Sequence, residues 1–140
     1  MAVREEAVAA QPQNTETRLA LARAIARAGD HLGAIATLDP VVRRFGHTLA
    51  TVQQTAVVYG LAADALRADR PVAALPPEDR AVYDIYLTTA LVALDRCVTD
   101  WDWLDIVGLR TDPDFDPLRG DPRFAAAVAK VEARLAGRKP

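Results

Sequence analysis

Few side chains in this sequence stand at spacings that could do chemistry. His31 and His47 lie beside helix-breaking glycines, with no Cys, Ser or Glu at a catalytic spacing, so turn positions suit them better than a general base. Cys97 is the single cysteine; it cannot close an internal disulfide, and one thiol with two histidines cannot fill a structural zinc site. It falls near the end of an apolar helix, where a small core residue fits, although sequence alone leaves a reactive thiol open. Seven acidic residues lie between Asp100 and Asp121, and Asp112-x-Asp114-x-Asp116 has the opening spacing of a calcium loop. That loop needs Gly where Pro117 stands and Glu where Arg123 stands, so the aspartates are expected to cap turns and helix starts instead. No catalytic residue, metal-ligand set or cofactor motif emerges, and the expectation is a protein that binds rather than reacts.

Residues suited to binding are easier to find. Arg23 and Arg27 are four apart, which puts both on one helical face able to grip an acidic or C-terminal peptide. Trp101 and Trp103 would face opposite sides of a strand or splay about 200 degrees apart on a helix, so the two are not expected to fill the same core. Either they seal the last helix, or one of them, Trp101, anchors a partner.

These residues must be positioned by helices. Of 140 residues, 28 are alanine and 15 of the 17 basic residues are arginine, a usage favouring helix outside the Pro and Gly punctuation. With 51% hydrophobic and 26% charged residues the chain can bury a core as one domain over 1–140. The net charge is -2, with no basic stripe for a phosphate backbone, so nucleic acid is not an expected partner. Glu5 and Glu6 interrupt what a signal peptide would need as apolar core, and no run of about 18 apolar residues occurs. A cytoplasmic, membrane-free protein is expected, its lone cysteine suiting a reducing compartment.

Periodicity predicts about five to six helices. The first spans 2–10 and stops before Pro12; the next runs from about 15 to 28, capped by Asn14 or Thr15, with Leu21, Ala22 and Ile25 on its packed face. After the Gly29-Asp30 turn, Leu32, Ile35, Leu38, Val42 and Phe45 mark a helix to Gly46, which Pro40 should kink. Thr48 caps a longer helix over 49–68. Three prolines make 70–77 a loop, expected to be the most mobile internal segment. A helix follows to about 98 through Val82, Ile85, Tyr86, Leu91, Leu94 and Val98. An Asp-Pro-rich stretch leads to a last helix over 121–137, with Phe124, Val128, Val131 and Leu135. No segment has the pattern of a strand.

The segment 15–46 resembles a tetratricopeptide repeat: Arg18, Leu21, Ala22 and Ile25, then Ala34 and Leu38, follow the family's spacing, with Arg18 and Ile25 replacing its usual aromatics. Residues 2–10 look like the second helix of a preceding repeat, 49–99 like degenerate helices, and Asp112 to Phe124 like the segment that closes many bacterial arrays. The resemblance implies an all-α, short right-handed helical-repeat superhelix acting as a protein-interaction scaffold. Its concave face would carry Arg23, Arg27, Gln53, Gln54 and Tyr86 and hold a peptide or protein surface. The alternative is a small-molecule or enzymatic helical domain with a pocket built on Trp101, Trp103 and the surrounding aspartates beside the Pro-rich loop. The N-terminal helix, lacking a mate, could also mediate weak self-association.

Overall fold

The computed structural model describes residues 12–138, so the helix expected at 2–10, and self-association through it, lie outside the described residues. Six α-helices and two 3-10 segments follow in order, and no strand occurs among the described residues. They are α1 (Pro12–Arg27), α2 (His31–Phe45), α3 (Leu49–Arg67), the 3-10 turn Val72–Ala74, α4 (Pro77–Trp101), α5 (Ile106–Thr111), the 3-10 helix Pro113–Leu118 and α6 (Pro122–Gly137). None of the helices is long and apolar enough to cross a membrane, among the described residues.

Local chemistry sets the boundaries. The Asp30 side chain accepts the Gly33 N–H at 2.9 Å, and Thr48 accepts that of Thr51, each satisfying a donor the first helical turn leaves free. Gly29 turns the chain at φ +95°, a conformation that favours glycine. Helix α1 already includes Pro12, Asn14 and Thr15, so neither Asn14 nor Thr15 is its N-cap as expected. Pro40 does not end α2; it and Ala36, whose carbonyl it leaves without an intrahelical partner, are both exposed to water.

Helix α1 forms a hairpin with α2, α3 pairs with α4, and α1 also packs on α3. One core cluster joins Leu19, Ala22, Ala34, Leu38 and Val58 across the first three helices. A larger one joins Val52, Leu94, Leu109, Phe115, Leu118 and Val131 from α3 to α6. Helix α3 therefore lies at the centre, with neighbours on several sides and eight buried residues. Ala22 and Ala34 are fully buried, where small side chains let α1 and α2 approach closely. The packed stripes differ from those expected in three places. Leu21 is 51%, Leu32 70% and Ile85 60% exposed, and the buried positions beside them are Leu19, Ala34 and Tyr86.

The stretch 100–121, expected as an Asp-Pro-rich loop, instead forms α5 and the second 3-10 helix. Asp105 caps α5 by accepting from Gly108, and Asp112 starts the 3-10 helix by accepting from Asp114. Phe115 and Leu118 are buried, and this segment packs on α3. The loop at 70–77 also carries structure. Leu75 is buried, and the Arg80 guanidinium donates to the carbonyls of Ala73 and Leu75 at 3.1 Å each.

Candidate functional site

Three of the six candidate binding residues meet in one groove. Arg23 projects from α1 towards α3, where its Nη1 donates to Gln54 Oε1 at 3.2 Å. Gln53 and Ala50 on α3 and Leu19 and Ala20 on α1 complete a groove of about 150 Å³, with Glu16 also on its wall. The packing of α1 on α3 around Leu19, Ala22 and Val58 fixes this arrangement. Among the described residues no carboxylate lies within ion-pairing distance of Arg23; its partner is a neutral amide. Gln53 and Gln54 each bring an amide that both donates and accepts, a set suited to main-chain groups of an extended segment.

The other three are placed differently. Arg27 is tied to the chain's own Asp114, with Nε donating to Oδ1 at 3.1 Å and Nη2 reaching the same oxygen. That bond holds the Arg27 guanidinium above its ordinary pKa, against the smaller opposing effect of burial. Arg27 therefore links α1 to the 3-10 helix, with its side chain half exposed. Tyr86 is only 7% exposed, with its ring edge-on to Tyr59 and His31 at 5.7 Å and its hydroxyl 3.0 Å from His31 Nδ1. Burial raises its pKa, and it joins α4 to α2 in the interior rather than lining the groove. Trp101 ends α4 half-buried, with the Arg96 guanidinium 5.5 Å from its ring centroid. Trp103 packs against Phe115 at 6.3 Å. The left-handed Asp102 between them, at φ 55°, turns the chain so that both rings rest on one core cluster.

The residues weighed for chemistry serve structure. The Asp112 side chain accepts the Asp114 N–H at 2.9 Å, Asp114 takes Arg27, and Asp116 takes Arg119 at 2.8 Å. Cys97 is fully buried, and that burial pushes its thiol up to about 11, far from a reactive thiolate at neutral pH.

Two further concave regions occur, the first beside the Pro-rich loop where a pocket was expected but lined by neither Trp101 nor Trp103. One, of about 480 Å³, lies between α3, α4 and the two 3-10 segments, with Asp64, Tyr83 and Asp116 among its walls. The other, of about 340 Å³, runs between α4 and α6 past Leu91, Val92 and Ala127. Both depend on contacts between segments remote in the chain, such as Lys130 to Asp95 at 2.7 Å, which no local pattern encodes. A partial signal was present in the apolar Val92, which the helical stripe leaves outside the core and which is 55% exposed.

No family model, curated protein or solved structure matches this chain. The geometry of its own residues is therefore what bears on function.

Proposed function

We propose that the chain is a non-enzymatic protein-interaction module of the cytoplasm, a short tetratricopeptide-like scaffold. In this reading an extended segment of a protein partner, with an acidic side chain or a terminal carboxylate, binds along the α1/α3 groove. One observation carries it. Arg27 has the chain's own Asp114 as its carboxylate, whereas Arg23, one helical turn earlier on the same face, is paired among the described residues with the amide of Gln54. A partner's carboxylate at Arg23 would gain a charge-assisted hydrogen bond, stronger than the neutral contact it replaces. Gln53 and Gln54 would then engage the segment's main chain, while Leu19, Ala20 and Ala50 provide apolar contact.

The test is a fluorescence-polarisation screen of labelled extended peptides, each acidic sequence paired with its Asn/Gln counterpart. Acidic members should bind, Arg23→Glu should weaken them at least tenfold, and Arg43→Glu on α2 should not. If Arg23→Glu leaves binding unchanged, the groove is not the site. Arg27 is unsuited to this test, because replacing it also removes the tether to Asp114. The alternative of a small-molecule or enzymatic pocket at Trp101 and Trp103 has less behind it, since those rings pack against Arg96 and Phe115.

A further inference from the structure

Helix α1 gives the α1/α3 groove Glu16, Leu19, Ala20 and Arg23, and this i, i+3, i+4, i+7 spacing makes one stripe along the wall. The two charged residues stand at its ends. Seven residues at about 1.5 Å each separate them by about 10 Å along the helix, with Leu19 and Ala20 between. In the two other concave regions every charged wall residue is paired with a counter-charge of the chain itself. Asp64 pairs with Arg67 and Asp116 with Arg119 in one; Asp95 pairs with Lys130, Arg96 with Asp100 and Arg123 with Asp121 in the other. The α1/α3 groove differs: among the described residues no cation lies within ion-pairing distance of Glu16 and no carboxylate within that of Arg23.

A wall with one unpaired negative end and one unpaired positive end is complementary to a segment that carries the opposite pattern. The two charges are more than a Debye length of about 8 Å apart at physiological salt, so neither neutralises the other and each is open to a ligand charge. A segment that is acidic throughout would set a like charge against Glu16. The spacing also fits an extended chain. In polyproline II geometry three residues advance about 9 Å and return to the same side, so a basic and an acidic residue three apart reach Glu16 and Arg23 together.

We propose that Glu16 is a second specificity determinant of the groove and selects segments in which Lys or Arg stands three residues from the acidic residue; this rests on the binding of an acidic segment at Arg23. The test is fluorescence polarisation with labelled extended peptides containing Lys-x-x-Glu or Glu-x-x-Lys, each compared with its counterpart having Gln for Lys. In the order the groove accepts, the Lys peptide should bind about threefold tighter than its Gln counterpart, the size expected of an exposed ion pair. Glu16→Gln should remove that difference and leave the Gln peptide within about a factor of two of its wild-type affinity. Glu16→Lys should reverse the preference. Glu16 is exposed and in no ion pair among the described residues, so both variants should keep the wild-type circular dichroism and melting temperature. A lysine that adds nothing in either order, or a gain that survives Glu16→Gln, would overturn the role of Glu16 while binding at Arg23 stands. Absence of binding by every peptide, or binding indifferent to Arg23→Glu, would overturn both.

Discussion

Arg27 on α1 and Asp114 on the closing 3-10 helix, 87 residues apart in sequence, form an ion pair in which Asp114 is buried. The pair ties the first described helix to the C-terminal part of the chain, beside the place where Leu118 docks on α3 at Gly60. The hairpin of α1 and α2 is thus held to the rest of the molecule by more than its contact with α3.

Removing one partner should be costly, because the other is left without its counter-charge. Asp114→Asn is expected to destabilise by about 1–2 kcal/mol, below the cost of a fully buried pair because the Arg27 side chain is half exposed. Thermal unfolding should show a fall of roughly 3–6 °C. In a double-mutant cycle, Arg27→Ala with Asp114→Ala should cost less than the sum of the two single changes, and strict additivity would mean the pair is idle.

Gly60 offers a second probe of the same docking. A Cβ there would lie 3.3 Å from Leu118 Cδ2 and Cγ, and Leu118 is fully buried with little room to yield. Gly60→Ala gains about 1 kcal/mol in helix propensity but meets an overpacking cost of about 1–3 kcal/mol, so net destabilisation is expected. In a Leu118→Ala background the clash is gone, and the same change should become stabilising in urea titrations.

Alkaline pH should weaken the fold. Cys97 is pushed from 9.0 to about 11 by burial, so the unfolded chain releases its proton first, and stability present below pH 9 is lost as pH rises through 11. Cys97 alone should account for about 2–3 kcal/mol over that window. Tyr59, Tyr83 and Tyr86, each raised from 10.0 chiefly by burial, act in the same direction above pH 10. Cys97→Ala should flatten the decline between pH 9 and 11 in chemical denaturation and leave the steeper loss above it. At pH 8 a thiol reagent should label Cys97 only as fast as the protein unfolds.

Arg80 holds the loop before α4 through two carbonyls. Arg80→Ala should raise the initial rate of thermolysin cleavage within 72–75 several-fold while changing global stability by less than about 1 kcal/mol. First cuts mapped by mass spectrometry to α3 would show that this loop is not the weak point.

The sequence by itself determined the all-helical class and most of the helix ends. Those depend on interactions within a few residues: alanine and arginine favour helix at any exposed position, Asp30 and Thr48 bond their own first turns, and Gly29 takes a turn that favours glycine. Arg23, Gln53 and Gln54 were grouped through the resemblance, which implies a concave face carrying them, and they do line one groove. Only the tertiary structure decided which face meets which neighbour. Leu21, Leu32 and Ile85 belong to helical stripes yet stay exposed, since a period of 3.6 fixes a stripe's width but not the angle at which another helix covers it. The pairing of Arg27 with Asp114, and the burial of Tyr86 against His31 and Tyr59, arise from contacts spanning 87 and 55 residues. The Asp-Pro stretch became an ordered 3-10 helix because α3 presents Gly60, whose missing side chain leaves room for Leu118, and α1 presents Arg27 to Asp114. Each is a complementarity between distant surfaces, which exists only once the helices have packed.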